Sequence, residues 1–546
     1  MKSFSTLVIC LLCAAAQAQV SFTDNTSLLQ DQTVNSGCAI GIADMNGDGL
    51  DDIVRLDNAS NLQIEYQDAG GLTMGTYSFG NLGSGNEWAI AIADVDNNGF
   101  NDVVSGGAYN GIKLLLANST GTDYTSSLLG APGIFVQCTN FVDIDNNGTT
   151  DIFLCHDDGV SSPYSNDGTG TFTYDLGLIN AISTVPSDNS GNYGTVWIDY
   201  DNDGDLDMYH SKCRLGVSNP TDGRRLNMLW QNDGNGNYTD VAITSGLQPQ
   251  AQSWASDWSD WDLDGDLDCF IINHDILSGF YENDGTGNFS NVTASTGTSA
   301  DLATLGLGIQ CMFEDFDNDG YEDLLFTGRS GEHMLFWNNG DGTFTGSDPF
   351  DTGGPAIQSA ALGDLNNDGF PDVYAGFASG FNSPSSNADL LFLNDGNSNN
   401  WFNITLKGED SNPNGIGARV ELHGAWGVQI RDVKAGESYG ISHSHTQHFG
   451  IGAESSITKV VVKWPSGLED EVLNPSPGQT MVLVEGSTAV SCTGDLNGDL
   501  QVNTSDILIL LSEFGCLTGC TYDLSGDGAV SVPDLLLLLS GYGVPC

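Results

Sequence analysis

The chain has 546 residues, of which 72 are Asp or Glu and only 14 are Lys or Arg, so its formal net charge is −58. Binding to a phosphate backbone requires a basic face, and this charge balance excludes nucleic acid as a natural partner. Glycine accounts for 70 residues, nearly twice its usual share of about 7%, which indicates many short strands joined by tight turns. A chain of this length is expected to form several domains.

Residues 1–18 have the features of a secretory signal peptide. Lys2 precedes an apolar run over residues 7–16, and Ala16-Gln17-Ala18 supplies the small residues of a cleavage site. The mature protein is therefore expected to begin near Gln19 and to be secreted, either extracellular or associated with a cell surface. No later apolar run reaches the roughly 18 residues that a spanning helix needs, so the sequence predicts that the mature chain does not span a membrane.

The stretch from Asp315 to Asp323 has carboxylates at positions one, three, five and nine and a glycine at position six. This spacing suits a hard cation that takes six to eight oxygen ligands at about 2.3–2.6 Å, and the glycine permits a sharp turn. Without a cation, each close pair of carboxylates would repel by roughly 4 kcal/mol at an effective dielectric constant near 20. The pattern therefore predicts a Ca²⁺ site.

The same nine-residue pattern occurs seven times, in segments that we call loops one to seven. They begin at Asp44, Asp94, Asp143, Asp199, Asp260, Asp315 and Asp364, at intervals of 50, 49, 56, 61, 55 and 49 residues. A regular period of this size indicates a repeat architecture. Asparagine replaces one carboxylate in loops one, two, three and seven, where weaker binding is expected because calcium affinity follows ligand charge. The predicted ligands are Asp44, Asn46, Asp48 and Asp52; Asp94, Asp96, Asn98 and Asp102; Asp143, Asp145, Asn147 and Asp151; Asp199, Asp201, Asp203 and Asp207; Asp260, Asp262, Asp264 and Asp268; Asp315, Asp317, Asp319 and Asp323; and Asp364, Asn366, Asp368 and Asp372.

Each loop is bracketed by short apolar runs, and most repeats contain a second turn such as Asn338-Asn339-Gly340 or Asn394-Asp395-Gly396. Asn-Gly and Asp-Gly steps between apolar runs are strong hairpin signals, so each repeat is expected to contain about four strands. Radial repetition of such units gives a β-propeller, here mostly β with seven blades over residues 19–399. The ends of this region together make one repeat length, which would let them close the ring within one blade. A β-helix of calcium nonapeptides is the competing fold, but its period is far shorter.

The loops and their Asn-Asp-Gly hairpins resemble the FG-GAP/VCBS repeats of integrin-α-type propellers. Residues 400–486 contain Gly415-Ile416-Gly417-Ala418-Arg419-Val420, His448-Phe449-Gly450-Ile451-Gly452 and Val462-Lys463-Trp464-Pro465-Ser466-Gly467. These motifs resemble the ASPIC/UnbV domain of cartilage-acidic-protein-like proteins. The two resemblances imply calcium binding and a role in adhesion or recognition, rather than a defined reaction.

Residues 400–486 also differ from the propeller region in charge. Six of the 14 basic residues lie there, and alternating runs such as residues 459–464 predict strands. The sequence therefore predicts a small β domain that is relatively basic and docks on the acidic propeller. The six basic residues are Lys407, Arg419, Arg431, Lys434, Lys459 and Lys463.

The tail, residues 487–546, contains two EF-hand-like loops 28 residues apart, each followed by an apolar run that predicts a short helix. This duplicated unit resembles a type I dockerin, which implies calcium-dependent folding and a cohesin-like or cell-surface partner. Two departures weaken the cohesin prediction: Leu500 replaces the turn glycine, and Val532-Pro533 replaces the Thr504-Ser505 pair in the second half. The predicted ligands are Asp495, Asn497, Asp499 and Asp506 in the first loop, and Asp523, Ser525, Asp527 and Asp534 in the second.

Ten cysteines follow the signal peptide, and even counts in a secreted chain suggest disulfides. Cys138 and Cys155 are nearly equidistant from the centre of loop three, so they are expected to face each other across a hairpin. In the tail, the antiparallel helices of a dockerin-like pair imply the bonds Cys516–Cys520 and Cys492–Cys546. The sequence suggests no pairing for the other four cysteines.

Two clusters have alternative interpretations. His443 and His445 would share a strand face, which suits zinc or copper, but His448 falls on the opposite face, so a hydrogen-bonding role is favoured. Trp254, Trp258 and Trp261 could stack on a sugar ring, although blade cores also need large aromatic side chains, and core packing is favoured.

Catalytic signatures are absent from the sequence: it has no G-x-S-x-G elbow, no H-E-x-x-H and no P-loop. The leading hypothesis is a secreted calcium-binding propeller for adhesion or for recognition of glycan or protein ligands, attached to a partner by its tail. The alternatives are an extracellular polysaccharide-active lyase or glycoside hydrolase of propeller fold, and a structural surface protein.

Overall fold

The computed structural model describes residues 20–67, 73–78, 85–130, 133–183, 189–329, 332–488, 494, 496, 502–516, 520–522, 524–525, 528–540 and 542. The predicted signal peptide lies outside these residues, as do Cys492 and Cys546 and the tail ligands Asp495, Asn497, Asp499, Asp523 and Asp527. The chain divides into two compact units: residues up to 467 together with 472–485, and residues 468–471 together with 486–546.

The first unit is built from repeated four-stranded antiparallel sheets, an arrangement consistent with the predicted propeller. In the described chain, sheets one to six contain, in order, Ile40–Ala43, Asp52–Asp57, Asn61–Tyr66 and Thr73–Thr76; Glu87–Ala93, Asp102–Gly107, Ile112–Ala117 and Tyr124–Leu128; Val136–Val142, Asp151–His156, Ser162–Asn166 and Phe172–Tyr174; Asn192–Ile198, Asp207–Lys212, Met228–Asn232 and Tyr238–Asp240; Ser253–Ser259, Asp268–Asn273, Gly279–Asn283 and Phe289–Asn291; and Gly308–Glu314, Asp323–Gly328, Met334–Asn338 and Phe344–Ser347.

Sheet seven joins the two ends of this region, as the sequence predicted. Its strands Ser359–Gly363, Asp372–Gly376 and Leu390–Asn394 are completed by the N-terminal strand Phe22–Asp24, with Phe22 opposite Asn394. The first strands of successive sheets contact one another in order, and Ser359–Gly363 contacts Ile40–Ala43. The first strands therefore form a closed ring.

These first strands are almost wholly buried because they are covered on both sides. All seven residues of Val136–Val142, of Asn192–Ile198 and of Ser253–Ser259 are buried. Short helical turns occur in the connections between sheets, at Ala242–Ser245, Ser299–Leu302 and, as a 3-10 turn, Thr26–Leu28. A further 3-10 turn, Gly223–Arg225, lies between the second and third strands of sheet four.

Residues 400–467 and 472–485 form two further sheets in the same unit. Asn400–Lys407 pairs antiparallel with Gln447–Gly452 and parallel with Thr480–Val484. Arg419–Gly424 lies between Gly427–Asp432 and Lys459–Lys463. Glu469–Leu473 is a further strand.

The segment from Lys434 to Ser444, which we call the axial segment, passes through the ring of first strands. It hydrogen-bonds to the first strand of every sheet one to seven. The predicted docking of residues 400–486 on the propeller region is thus present, and it includes threading of the ring. The partners in sheets one to seven are, in order, Ile42, Ile90, Gln137, Trp197, Asp257, Cys311 and Leu362.

At the end of the ring opposite the loops, a small hairpin of Ala378–Ser379 and Ser383–Pro384 extends from sheet seven. Phe381 at its tip stacks on Trp254, with ring centroids 4.8 Å apart. Ser383 accepts a hydrogen bond from Asn86 of the connection into sheet two, at 3.2 Å. The space along the ring axis is therefore occupied by the protein's own side chains from both ends.

Cys138 and Cys155 are neighbours, as predicted, but the disulfide prediction is wrong: both are free, buried thiols. The strand register shifts between Val136 and Thr139, so Cys138 sits at a bulge and has no residue directly opposite. The two thiols lie within hydrogen-bonding reach of each other, whereas a disulfide requires a specific alignment of the two Cβ atoms.

The second unit contains the two short helices expected in the tail, Thr504–Ser512 and Val532–Ser540. The Cys516–Cys520 disulfide is present, with Cα atoms 5.9 Å apart, which confirms that prediction. The Cys492–Cys546 bond involves residues that are not described, and it stays a prediction. Val502, Leu510, Val530 and Leu538 form the small core of this unit.

Candidate metal centres

Every acidic loop connects the first and second strands of its sheet and has the same internal hydrogen bonds. In loop six, Asp315 Oδ1 accepts from the backbone N–H of Asp319 at 3.0 Å, and Asp315 Oδ2 accepts from that of Gly320 at 2.8 Å. The corresponding pair of bonds is present in all seven loops. Gly320 has φ 100°, a left-handed conformation that favours glycine, which explains the glycine at position six.

The carboxylate at position nine links the loop to the sheet. Asp323 Oδ1 accepts from the N–H of Asn338 on the third strand at 2.7 Å, and Asp323 Oδ2 accepts from the N–H of Phe316 at 3.2 Å. The bond to the third strand occurs in all seven repeats. Position nine therefore organises the fold whether or not it also binds a cation.

Carboxylates from one loop converge in five of the seven loops. In each, three oxygens of different residues lie within 4.8 Å of one another. Loops two, three and six use positions one, three and nine, while loops four and five use positions one, three and five. No such triple occurs among the described carboxylates of loops one and seven, where Asn46 and Asn366 take position three. The convergent triples are Asp94, Asp96 and Asp102; Asp143, Asp145 and Asp151; Asp199, Asp201 and Asp203; Asp260, Asp262 and Asp264; and Asp315, Asp317 and Asp323.

The carboxylate at position three shows the clearest need for a cation. The Oδ1 atoms of Asp96, Asp201, Asp262 and Asp317 are buried and have no hydrogen-bond partner. An unsatisfied buried polar atom costs about 1–3 kcal/mol, and more when charged. A hard cation bound by the triple would contact these oxygens, so the residues present fit Ca²⁺.

The electrostatics of the loops agree with this interpretation. Burial, reinforced by the neighbouring carboxylates, raises the pKa of Asp102 and of Asp151 to about 8 and that of Asp268 to about 10. Burial raises the pKa of Asp260 to about 7 in the same way. Carboxyls that resist ionisation this strongly lack a counter-charge, which a bound divalent cation would supply.

Residues 400–467 and 472–485, which we call the second part of the unit, lie directly on several of the acidic loops. Gly452 N–H donates to the carbonyl of Asn318 in loop six at 2.8 Å, and a Cβ at Gly450 would lie 2.1 Å from Asp315 Oδ2. Arg419 Nη2 donates to the carbonyl of Asp199 in loop four at 3.1 Å. The three convergent carboxylates of the covered loop six are all buried, whereas Asp199 and Asp201 of loop four are half-buried and Asp203 is exposed.

The three histidines serve as hydrogen-bonding groups, as favoured from the sequence. His443 Nδ1 accepts from the N–H of Leu362 at 3.1 Å, and His448 lies between the side chains of Asn403 and Asn318 at 2.7 and 2.6 Å. Burial lowers the pKa of His443 and His448 to about 3 and that of His445 to about 4. No triple of metal-ligating side chains in the described chain includes them.

The three tryptophans are core residues. Trp254, Trp258 and Trp261 are 3%, 1% and 2% exposed. Stacking of these rings on a sugar is therefore excluded in this conformation.

The sequence analysis did not predict the structural role of the asparagines that open the hairpins. The asparagine that opens several hairpins donates a side-chain bond across to the preceding sheet: Asn338 Nδ2 donates to the carbonyl of Trp261 in loop five at 2.8 Å. Asn166, Asn283 and Asn394 make the equivalent bond to loops two, four and six. The repeated Asn before Asp-Gly or Asn-Gly is the sequence signal for this bond, although the hairpin turn alone already accounts for an Asn at that position.

The tail carboxylates at position twelve have matching roles in the two halves. Asp506 accepts from the N–H groups of Leu496 and Asn503, both at 2.8 Å. Asp534 accepts from those of Ser525 and Ser531, at 2.8 and 2.7 Å. The bonds from Asn503 and Ser531 come from equivalent positions 28 residues apart, whereas Leu496 and Ser525 stand at positions two and three of their loops.

Comparison with known proteins agrees with this architecture. Residues 44–105, 94–154, 143–210 and 315–375 match the FG-GAP-like repeat, and residues 408–490 match the family described as ASPIC and UnbV. The chain contains FG-GAP repeats and an ASPIC/UnbV domain. Cartilage acidic protein 1 of Mus musculus is 24% identical over 257 residues, which are 44% of this chain and 38% of that protein. The chain thus spans well under half of this curated relative.

Among solved structures, a lectin of Agrocybe aegerita, described as recognising non-reducing terminal N-acetylglucosamine, is 18% identical. The match covers 58% of this chain and 81% of the lectin, with a TM-score of 0.38. Sqt1 of Saccharomyces cerevisiae is 13% identical over 69% of this chain and 99% of its own, with a TM-score of 0.41. Within the described residues, no helix combines the length and apolarity needed to cross a membrane.

Proposed function

We propose that this chain is a secreted, calcium-binding, seven-bladed propeller protein that recognises glycan or protein ligands outside the cell. FG-GAP repeats with an ASPIC/UnbV domain suggest an extracellular recognition or adhesion protein. The observation that carries the calcium proposal is the position-three carboxylate oxygen, which is buried without a partner in loops two, four, five and six. The propeller supplies a rigid scaffold, and calcium fixes the loops at one end of it.

The tail is proposed to be a dockerin-like, calcium-dependent module, residues 487–546, that attaches the protein to a cohesin-like or cell-surface partner. The equivalent bonds from Asn503 to Asp506 and from Ser531 to Asp534 support the duplicated EF-hand-like interpretation.

An enzyme of propeller fold has less support. The axial segment and Phe381 occupy the space along the ring axis, and the convergent carboxylates belong to the loops that suit calcium. A separate acid and base pair for glycoside chemistry cannot be assigned among the described residues.

Removal of calcium tests the proposal. Calcium at a hundred times its dissociation constant should stabilise the folded chain by about 2.7 kcal/mol per site, so EDTA should lower the melting temperature steeply and restored calcium should recover it. Metal analysis of desalted protein should find at least four calcium ions per chain. An unchanged melting temperature together with fewer ions would refute the loop assignment.

Binding and catalysis are separated by one screen. Purified protein is incubated with marine and plant polysaccharides, in calcium and in EDTA, and both retention on the polysaccharide and new reducing or unsaturated ends are measured. We expect calcium-dependent retention of the protein without new ends. Product formation by the wild-type protein would favour the enzyme hypothesis instead.

A further inference from the structure

Loops one and two differ from the covered loops because a cavity of about 210 Å³ lies between them and the second part of the unit. One wall is formed by loops one and two, and the other by residues 405–409, 413–414 and 444–446. Its mouth is marked by the exposed residues Gly47, Asn97 and Lys407. A ligand can reach the assembled surface of both parts of the unit here.

Hydrogen bonds hold the walls of this cavity in place. The hydroxyl groups of Thr405 and Thr446 form a hydrogen bond of 2.7 Å, and Ser444 Oγ donates to Asp51 Oδ1 at 2.7 Å. Asn414 donates to Asn101 Oδ1 at 2.9 Å. Each hydroxyl and carboxylate keeps lone pairs beyond these bonds, so the lining can bond to a ligand without being rebuilt.

The lining favours a neutral ligand over a charged one. The two oxygens of Asp94 accept N–H groups of their own loop, and those of Asp44 do the same. Lys407 and Glu409 place opposite charges on the same wall, and burial keeps His445 neutral by lowering its pKa to about 4. Asp51, the third aspartate of the lining, likewise accepts from Ser444 and from the N–H of Asp364, so these carboxyl groups are engaged within the protein and a ligand meets mainly hydroxyl and amide groups.

The volume and lining of the cavity limit the class of ligand further. The volume of about 210 Å³ is below the 300 Å³ or more of a pocket for drug-sized ligands, so the cavity suits a ligand about the size of one sugar ring. No aromatic side chain lines the cavity among the described residues, so binding would rest on hydrogen bonds to hydroxyl groups.

We propose that this cavity binds one neutral saccharide unit, such as the exposed end of a glycan chain, through its hydroxyl and amide groups. The proposal rests on the proposed recognition function and gives it a location. Thr446, which lines the second wall beside Thr405, is the residue whose enlargement should close the site.

The test uses the full-length, calcium-loaded protein and a panel of free neutral monosaccharides: glucose, galactose, mannose, fucose and N-acetylglucosamine. Saturation-transfer NMR and calorimetry measure binding to the wild-type protein, to Thr446→Phe and to Thr173→Phe, which places the same side chain on an exposed strand of sheet three. We expect at least one sugar to bind the wild type and Thr173→Phe, and to bind Thr446→Phe at least tenfold more weakly. Equal melting temperatures of the two variants show that the loss is local.

A second variant, Asn97→Gly, tests the same cavity independently of Thr446→Phe. Asn97 has φ 56°, which glycine also adopts, so Asn97→Gly removes an amide from the mouth without altering the loop and should weaken binding severalfold. The inference is overturned if no sugar binds the wild type, if both Thr446→Phe and Asn97→Gly bind as the wild type does, or if glucosamine, which is cationic, binds more tightly than every neutral sugar. Polysaccharide retention that persists in Thr446→Phe would reject the cavity and leave the proposed function standing.

Discussion

Single residues of the acidic loops have separable structural and cation-binding roles. Asp102 at position nine accepts the N–H groups of Val95 and Ala117 at 2.9 and 2.7 Å, whereas Asp96 at position three has a buried oxygen without a partner. The first residue is needed by the fold even when no cation is bound. The second is costly to bury unless a cation is bound.

The variants Asp102→Ala and Asp96→Ala distinguish these roles. In EDTA, Asp102→Ala should lower the free energy of unfolding by about 2–4 kcal/mol, because it leaves two buried N–H groups unsatisfied, while Asp96→Ala should not lower it, because it removes a buried oxygen that has no partner. In calcium, both variants should be less stable than the wild type. Denaturant unfolding in the two buffers measures this, and an equal loss for the two variants in EDTA would contradict the separation of roles.

The pH dependence of the calcium-free protein follows from the same carboxyls. Burial, opposed by hydrogen bonds and reinforced by neighbouring carboxylates, raises the pKa of Asp52, Asp102 and Asp151 to about 8, against about 3.9 in an unfolded chain. The folded state therefore holds protons that the unfolded state has lost. This contribution to stability is complete below about pH 4 and is lost as the pH rises through about 8.

We therefore expect the melting temperature in EDTA to fall by at least about 4 °C between pH 5 and pH 8.5. In saturating calcium the fall should be smaller, because the cation replaces the protons as the counter-charge. Thermal melts at several pH values in both buffers measure the difference. A melting temperature in EDTA that stays level or rises with pH would show that these carboxyls ionise normally.

The structural elements that depend on local sequence patterns were predictable from the sequence. The seven loops, the strands on either side of them and the closure of the last sheet by the N-terminal strand all follow from a period and from turn residues. The bulge at Cys138 and the axial segment were not predictable, because they depend on contacts with residues far away in the chain. Gly436 shows the difference: a Cβ there would lie 2.1 Å from Asn140 Nδ2 and 2.4 Å from the carbonyl of Thr195, a close approach that no local pattern reveals.

A buried ion pair between Lys434 and Asp257 helps to fix the axial segment, in which Lys434 also lies 3.8 Å from Glu437. Lys434 Nζ lies 2.6 Å from Asp257 Oδ1, and these side chains are 14% and 1% exposed. Asp257 Oδ2 also accepts from the N–H of Phe313 in sheet six at 2.7 Å. The pair therefore joins the axial segment to two neighbouring sheets.

Breaking this pair should be costly. Lys434→Met leaves the Asp257 carboxylate buried and unpaired, which should destabilise the unit by about 3–5 kcal/mol, and adding Asp257→Asn should recover part of the loss. The control is Lys463→Met, which removes an ion pair to Glu421 from a side chain that is 53% exposed, and it should cost less than about 1 kcal/mol. Denaturant unfolding of the four proteins decides this, and similar losses for Lys434→Met and Lys463→Met would mean that the axial segment contributes little to stability.

At the scale of the whole molecule, the propeller region belongs to one compact unit with residues 400–467 and 472–485, although the sequence suggested separate domains. The axial segment supplies hydrogen-bond partners to the first strand of every sheet. Without it, buried N–H and C=O groups such as those of Trp197, which exchange bonds with Ala435 at 2.8 and 3.3 Å, would lose their partners. Buried backbone groups are rarely left unpaired.

Two truncations test this dependence. The chain 20–486 lacks only the tail and should fold with calcium-dependent stability close to that of residues 20–546, because the tail belongs to a separate compact unit. The chain 20–399 keeps every loop and sheet of the ring but lacks the axial segment, so it should be insoluble or should melt well below the chain 20–486. Expression, size-exclusion chromatography and thermal melts in calcium compare the three chains. If the chain 20–399 were monomeric and had the same melting temperature as the chain 20–486, the ring would be stable by itself, and the axial segment would not be needed for its stability.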